Sequence, residues 1–338
     1  MQTGGWIGDM ILLTPALRAL KKGLHDANIT VLVNPLVKEL MERNPYLDSV
    51  IVYDKRGTQK GIRGMWKMAD RLKLERFDIA VILHPNSVRS AILSYMAGIP
   101  ERVGSKIRGR GPFLTMKVAW RRNVHEVQRY LDVVSSIVNV DRNGKLEFWG
   151  IREEDETFVN DVLGDHTGPV VGINPFTTWP SKRWPVERFA RLVDLISCRF
   201  DTRVVLTGDI DDAYLGSKLM KQVSSKPINL IGHTTLWQLG ALIKHCHLYV
   251  TCDSGPMHIS AALGTPTVSL FGPTDPVRHS PYGQGHTVVR KKTECAPCYK
   301  RKCKSYDCMQ AIQIEDVVEA IAERFHQSRP EYNGSEFV

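Results

Sequence analysis

Thr251-Cys252-Asp253-Ser254-Gly255-Pro256-Met257-His258 follows the apolar run Leu248-Tyr249-Val250 and leads into Ile259-Ser260-Ala261-Ala262-Leu263-Gly264. An apolar run, a short polar turn and a helix-forming run predict a strand–turn–helix unit. Such a unit gathers free backbone N–H groups and the positive end of a helix at one place. An anion such as a diphosphate binds there without many charged side chains. Asp253, Ser254 and Gly255 form the turn, and His258 in the first helical turn adds a donor. Val268-Ser269-Leu270-Phe271 and then Gly272-Pro273-Thr274-Asp275-Pro276 predict the next strand and a loop beside the first.

Two other readings of the octet compete. Asp253-Ser254-Gly255-Pro256 is similar to the nucleophile segment of chymotrypsin-like proteases, but those need a β-barrel, whereas a helix follows here at once. An ordinary strand-to-helix turn without a ligand is the other alternative.

The chain begins with a second informative stretch, Gly4-Gly5-Trp6-Ile7-Gly8-Asp9 followed by Met10 to Leu20. The glycines permit a sharp turn or a close approach to a ligand. Asp9 stands at the opening of a helix whose apolar face runs through Leu13, Leu17 and Leu20. A carboxylate there complements the helix dipole or does chemistry. The glycine spacing does not fit a dinucleotide fold, and Ile29 to Asn34 ends in Asn rather than an acidic ribose ligand, so no nicotinamide cofactor is indicated.

Together these segments resemble the ADP-heptose:lipopolysaccharide heptosyltransferases, glycosyltransferase family 9 of Gram-negative bacteria. The matching pieces are Gly8-Asp9 with Thr14-Pro15-Ala16-Leu17, Lys182-Arg183-Trp184-Pro185, Asp253 to His258, and Phe271 to Pro276. Cys295-Ala296-Pro297-Cys298 through Cys308-Met309 adds to them, and all stand in the family's order. The resemblance implies an α/β fold of the GT-B class, two Rossmann-like domains facing each other across a cleft. It implies an inverting transferase that moves a heptose from ADP-heptose to the lipopolysaccharide inner core, with no cofactor and no metal. Asp9 matches the general base, and Lys182 matches a donor-phosphate ligand. Asp253, Ser254, Gly255 and His258 match the donor-binding turn, to which the hydroxyls of Thr177 and Thr178 could contribute. For the donor ribose Asp209, Asp211 and Asp212 compete, with Asp212 taken as the candidate. In the family an apolar strand precedes the Gly-Asp turn, and here Met1 stands about where that strand should end. Three alternatives stay open: another nucleotide-sugar donor, a nucleotide-sugar 2-epimerase, and a non-catalytic nucleotide-sugar or glycolipid binder.

Apolar runs alternate with helical patterns along all 338 residues, which predicts α/β architecture with mostly parallel sheets. Strands are expected near 29–34, 49–53, 77–83 and 101–104, then at Val170–Asn174, Val204–Leu206, Leu248–Val250 and Val268–Phe271. A helix is expected over Glu126–Val138 and a short one within the polar stretch 151–168. The predicted domains are 1–165, binding acceptor, and 166–326, binding donor, with a polar tail over 327–338. The last helix, Glu315 to Phe325, is expected to pack back on the first domain, as the GT-B class implies. A hydrophobic content of 43% and a charged content of 24% suit a globular protein. No run approaches the roughly eighteen apolar residues of a membrane span.

Charge is uneven. The chain is +9 overall, yet residues 55–122 hold sixteen Lys or Arg against four Asp or Glu. Basic loops on one domain favour a polyanionic partner over neutral ones. Nucleic acid fits poorly, because few aromatics interleave with these cations and no reader motif is present. A merely solvated basic face is the plain alternative. With the resemblance, Arg56, Lys60, Arg63, Arg108 and Arg122 become contacts to a phosphorylated lipid A/inner-core acceptor. The enzyme is then expected to be cytoplasmic, peripheral on the inner membrane. Of seven cysteines, Cys198, Cys246 and Cys252 are expected in the core. Cys295, Cys298, Cys303 and Cys308 could be reduced thiols, metal ligands or disulfides. His245 and His247 are expected to settle in local hydrogen bonds.

Overall fold

Strands that are buried on both faces carry continuous apolar runs, and such strands pair in parallel under flanking helices. The computed structural model describes residues 5–84, 87–107, 109–142 and 144–328. It divides into two units, Met1–Gly150 and Ile151–Val338.

In the first unit α1 (Ile7–Leu12) and α2 (Thr14–Gly23) are separated at Leu13, where Pro15 occupies the first turn of α2. Proline fits that position because its missing N–H would have no partner there. There follow β1 (Thr30–Val33), α3 (Lys38–Glu42), β2 (Ser49–Val52), α4 (Gly61–Leu74), β3 (Ile79–Ile82), α5 (Val88–Met96), β4 (Glu101–Ser105), β5 (Met116–Val118) and α6 (Glu126–Val134). β1 pairs with β2, and β3–β4–β5 form a second sheet; every pairing is parallel. An apolar slot lined by Thr30 and Leu32 of β1 and by Ile79 to Ile82 of β3 runs between the sheets. Leu32, Ile51, Met68, Leu72 and Leu93 pack into one core beside it.

The second unit comprises α7 (Glu153–Leu163), β6 (Val170–Asn174), α8 (Val186–Arg199), β7 (Arg203–Gly208), α9 (Ala213–Met220), β8 (Ile228–Ile231), α10 (Leu236–His245), β9 (Leu248–Cys252), α11 (Gly255–Leu263), β10 (Thr267–Leu270), α12 (Pro276–His279), β11 (His286–Val289), α13 (Asp307–Gln310) and α14 (Ile314–Ser328). Its six parallel strands run β11-β10-β9-β6-β7-β8. The order reverses between β6 and β9, and ligands of such sheets bind beyond the carboxyl ends of the strands at that reversal. Gly172 in β6 leaves room for its neighbours: an added Cβ would lie 2.5 Å from the Tyr249 ring and 2.9 Å from Cys246 Sγ.

Several expectations need correction. The division falls at Gly150/Ile151, ahead of the helix rather than after residue 165, because α7 packs on α10. Glu156 ties them together, receiving Lys244 at 2.9 Å and His245 at 2.6 Å. The last helix packs within the second unit's core, where Phe325 stacks on Phe200 with ring centroids 5.0 Å apart. α6 stops at Val134, four residues early. Cys198 is exposed, while Cys246 and Cys252 are buried. β5, β8 and β11 were not expected at all. Among the described residues no helix is long and apolar enough to cross a membrane.

Candidate functional site

The reversal point of the six-stranded sheet brings the loops after β6 and β9 side by side. The loop after β6 begins with a turn in which Asn174 Oδ1 accepts the Phe176 N–H at 3.1 Å. It continues through Thr177, which is buried, and Thr178, which is exposed, to a short turn of 3-10 helix at Pro180–Lys182. Lys182 Nζ lies 2.7 Å from Asp253 Oδ2, and both side chains are largely shielded, at 14% and 7% exposure. The Thr177 hydroxyl sits 3.5 Å from the Asp253 carbonyl. Thr274 Oγ1, from the loop after β10, donates to Asp253 Oδ2 at 2.6 Å.

Asp253 is thus a buried carboxylate with a cation and a hydroxyl on one oxygen. Burial alone would raise its pKa, but Lys182, His279 and the Thr274 hydroxyl outweigh it and hold the carboxyl below its ordinary value. His279 responds in the opposite sense. Burial pushes its imidazole down to about 3, against the pull of Asp253, so the ring is neutral at physiological pH.

Immediately after Asp253, α11 starts at Gly255 with Pro256 in its first turn. The Ser254 hydroxyl is engaged with Thr251 Oγ1 at 3.0 Å rather than with the helix's own N–H groups. Those N–H groups and the helix dipole open next to the Asp253–Lys182 pair, and the chemistry of that corner suits an anion. His258 lies buried in the same first turn. Beside this corner Arg183 reaches Asp212 at 3.7 Å and donates through Nε to the Thr177 carbonyl at 2.9 Å. Burial raises the Asp212 carboxyl pKa, with the Asp209 N–H and Arg183 pulling it back. Of the three competing acids Asp212 is the half-buried one that faces this loop; Asp209 and Asp211 are exposed.

The cysteine-bearing segment braces the corner. Cys298 and Tyr299 both donate their N–H groups to the Pro273 carbonyl, at 3.0 and 2.8 Å. The Tyr299 hydroxyl is 3.3 Å from the Asp275 N–H and from an Arg278 guanidinium nitrogen. Ser181 is held by the Lys300 carbonyl at 2.6 Å and the Arg301 carbonyl at 3.3 Å. Trp179 carries Lys182 at 4.6 Å and Arg301 at 5.1 Å from its ring centroid. All four cysteines here are free thiols, and no three His, Cys, Asp or Glu side chains are arranged to hold a metal among the described residues.

In the first unit Asp9 lies in the first turn of α1, half-buried. Arg56, Lys60 and Arg63 are exposed together in the loop after β2 and the start of α4. Arg122 is exposed in another loop, after β5, where its carbonyl accepts the Arg129 guanidinium. Arg108 lies outside the described residues. Thus the structure gathers Lys182, Asp253, Thr177 and the start of α11, and it adds Thr274, His279 and Tyr299, which the sequence reading did not assign. Thr274 stood inside a quoted motif; His279 gave no sequence signal of its own.

Comparison with known proteins agrees with this arrangement. The family described as glycosyltransferase family 9 (heptosyltransferase) matches residues 65–308. The chain is 26% identical to lipooligosaccharide heptosyltransferase 2 of Campylobacter jejuni over 323 residues, covering 94% of this chain and 95% of that protein. A family 9 glycosyl transferase structure from Veillonella parvula superposes with TM-score 0.79 at 29% identity, covering 96% of both chains. The Escherichia coli ADP-heptose lps heptosyltransferase II superposes with TM-score 0.77 at 25% identity, covering 96% of this chain and 98% of that one. The α/β fold of two Rossmann-like units, the GT-B class expected from the sequence, is shared with these structures.

Proposed function

The chain belongs to glycosyltransferase family 9, the heptosyltransferases, and we propose that it moves a heptose from ADP-heptose to the anionic inner core of lipopolysaccharide, with inversion at the anomeric carbon. The observation that carries this is the Lys182–Asp253 pair beside the first turn of α11. An ammonium has three N–H donors. Asp253 takes one and thereby fixes the side chain, leaving the others for the β-phosphate of the donor. The loop around Arg183 and Asp212 supplies the ribose side of the same donor. Asp9 takes the proton of the acceptor hydroxyl as that oxygen attacks the anomeric carbon from the face opposite the diphosphate, and the bond from that carbon to the phosphate oxygen breaks. Such a base contributes about 10²–10⁴-fold. Negative charge grows on the departing ADP, and Lys182 with the N–H groups of α11 stabilises it most where it is largest. Arg56, Lys60, Arg63, Arg108 and Arg122 meet acceptor phosphates and carboxylates. An anionic lipid-linked acceptor argues for an enzyme of the cytoplasm, peripheral on the inner membrane.

The test is thermal melting with ADP, UDP, GDP and dTDP on the wild type and on Lys182→Ala. A ligand at a hundred times its Kd adds about 2.7 kcal/mol. ADP alone should raise the Tm, and Lys182→Ala should abolish that rise. A UDP-selective rise would move the reading to a different transferase or to the 2-epimerase, and an ADP rise unchanged by Lys182→Ala would remove Lys182 from the donor site.

A further inference from the structure

Helix α4 buries Gly64, Met68, Ala69 and Leu72 and turns its other side outward. On that outer side Ile62 is 67% exposed and Trp66 is 55% exposed. Their i, i+4 spacing places them on one strip of the helix, and Arg63 and Lys67, at the same spacing, form the adjoining strip. Lys60 leads into the helix beside them, and Asp70 is the acid on that side. Single exposed apolar side chains need no explanation, but an aromatic and an aliphatic side by side in a ring of cations do.

The loop before the helix is stiffly built. Asp54 accepts the Gly57 and Thr58 N–H groups, each at 2.8 Å, and its own N–H donates to Gln59 Oε1 at 2.8 Å. Gly64 is required for this loop to lie against the helix, because an added Cβ would come 2.0 Å from the Gln59 carbonyl oxygen. The turn holds Lys55 and Arg56 next to one another with Arg89 near. Burial first, then those two guanidinium groups, lower the Lys55 pKa, as crowding by cations does.

We infer that the outer side of α4 is a membrane-docking surface, in which Ile62 and Trp66 enter the interface of an anionic phospholipid bilayer while Lys67 meets its headgroups and Lys60 and Arg63 face the lipid-anchored acceptor at the same surface. Tryptophan favours that boundary because its ring is apolar and its N–H remains wet, and each nearby cation adds attraction to an anionic surface. The inference deepens the proposed function, whose acceptor is anchored in lipid, but its chemistry needs neither donor nor acceptor.

The test is co-sedimentation of the full chain with vesicles of phosphatidylglycerol or of phosphatidylcholine, for the wild type and Ile62→Ser/Trp66→Ser. The wild type should bind phosphatidylglycerol in preference, less so at high salt. The double variant should bind about tenfold more weakly, while keeping its nucleotide-induced rise in Tm and its rate on an acyl-free, water-soluble inner-core acceptor. Wild-type protein that leaves both vesicles unbound, or a double variant that binds phosphatidylglycerol as well as the wild type, would overturn the inference. So would a double variant that loses transfer to the acyl-free acceptor, since Trp66 would then be a sugar-stacking platform. Vesicle binding can fail while transfer succeeds, so the two readings fail separately.

Discussion

Replacing Lys182 by Met exposes how much the second unit depends on its buried ion pair. Met keeps the length and apolar stem of Lys and removes only the charge. Asp253 then stays 7% exposed with Thr274 on one oxygen and no adjacent cation. Removing one partner of a buried pair costs about 3–5 kcal/mol, because the other charge is left uncompensated. At roughly 2–4 °C per kcal/mol for a unit of this size, the Tm should fall by about 6–20 °C near neutral pH. The pH dependence has a defined sign. In the wild type the Asp253 pKa is held down, so its contribution is present above the unfolded carboxyl pKa and is lost only in acid. In the variant burial is opposed mainly by Thr274 and His279, the pKa rises, and a proton taken up by Asp253 or by His279 relieves the stranded charge. The gap to the wild type should therefore narrow on going from about pH 7.5 to about pH 5. Lys182→Met/Asp253→Asn, which removes both charges, should recover most of the loss, and melting followed by calorimetry or circular dichroism reads all three proteins. A Lys182→Met protein that melts within about 2 °C of the wild type, or a gap that stays constant with pH, would refute the reasoning.

Other outcomes follow from the same geometry. Asp9→Asn should lower turnover about 10²–10⁴-fold while ADP still raises the Tm as in the wild type; near-full rate would remove the base. His279 has a folded pKa of about 3, below its unfolded value, so it costs stability as pH falls below about 6.5, by about 1.4 kcal/mol per unit. His279→Gln should flatten that decline in melts between about pH 6 and pH 4, although His286, pushed down to about 4 by burial, keeps part of it. Gly172→Ala would drive a methyl to 2.5 Å from the Tyr249 ring and should cost about 1–3 kcal/mol of stability, visible in urea unfolding, with little change in ligand selectivity.

In the second unit the strands that the sequence reveals are mostly inner ones, whereas in the first unit β1, β2 and β3 lie at sheet edges and are legible from short apolar runs. Val170–Asn174 and Leu248–Cys252 are buried throughout and read as unbroken apolar runs. The strands that escaped notice, β5, β8 and β11, lie at sheet edges and are only partly buried, so Lys117, Asn229, His286 and Thr287 interrupt the apolar pattern. The short helix expected within 151–168 is α7, and it belongs to the second unit rather than to the first. Its first turn holds Glu153, Glu154, Asp155 and Glu156, which resembles a linker, yet Val159 and Leu163 bury against α10. In the site, Asp253 and Lys182 were legible because each sits in a short motif with chemistry of its own. Thr274 and His279 were not, because Thr274 meets Asp253 only when the loops after β9 and β10 fold side by side, and His279 meets Tyr299 only when the 298–301 segment folds back onto Pro273. No local pattern encodes such a distant contact.

The central claim is tested most directly by incubating the full chain with ADP-heptose and a lipid A-linked inner-core acceptor, then weighing the glycolipid by mass spectrometry. The account predicts a product heavier by one heptosyl residue and released ADP in equal amount, both formed about 10²–10⁴-fold more slowly with Asp9→Asn. An unchanged acceptor mass with ADP-heptose intact, under conditions where ADP does raise the Tm, would contradict it.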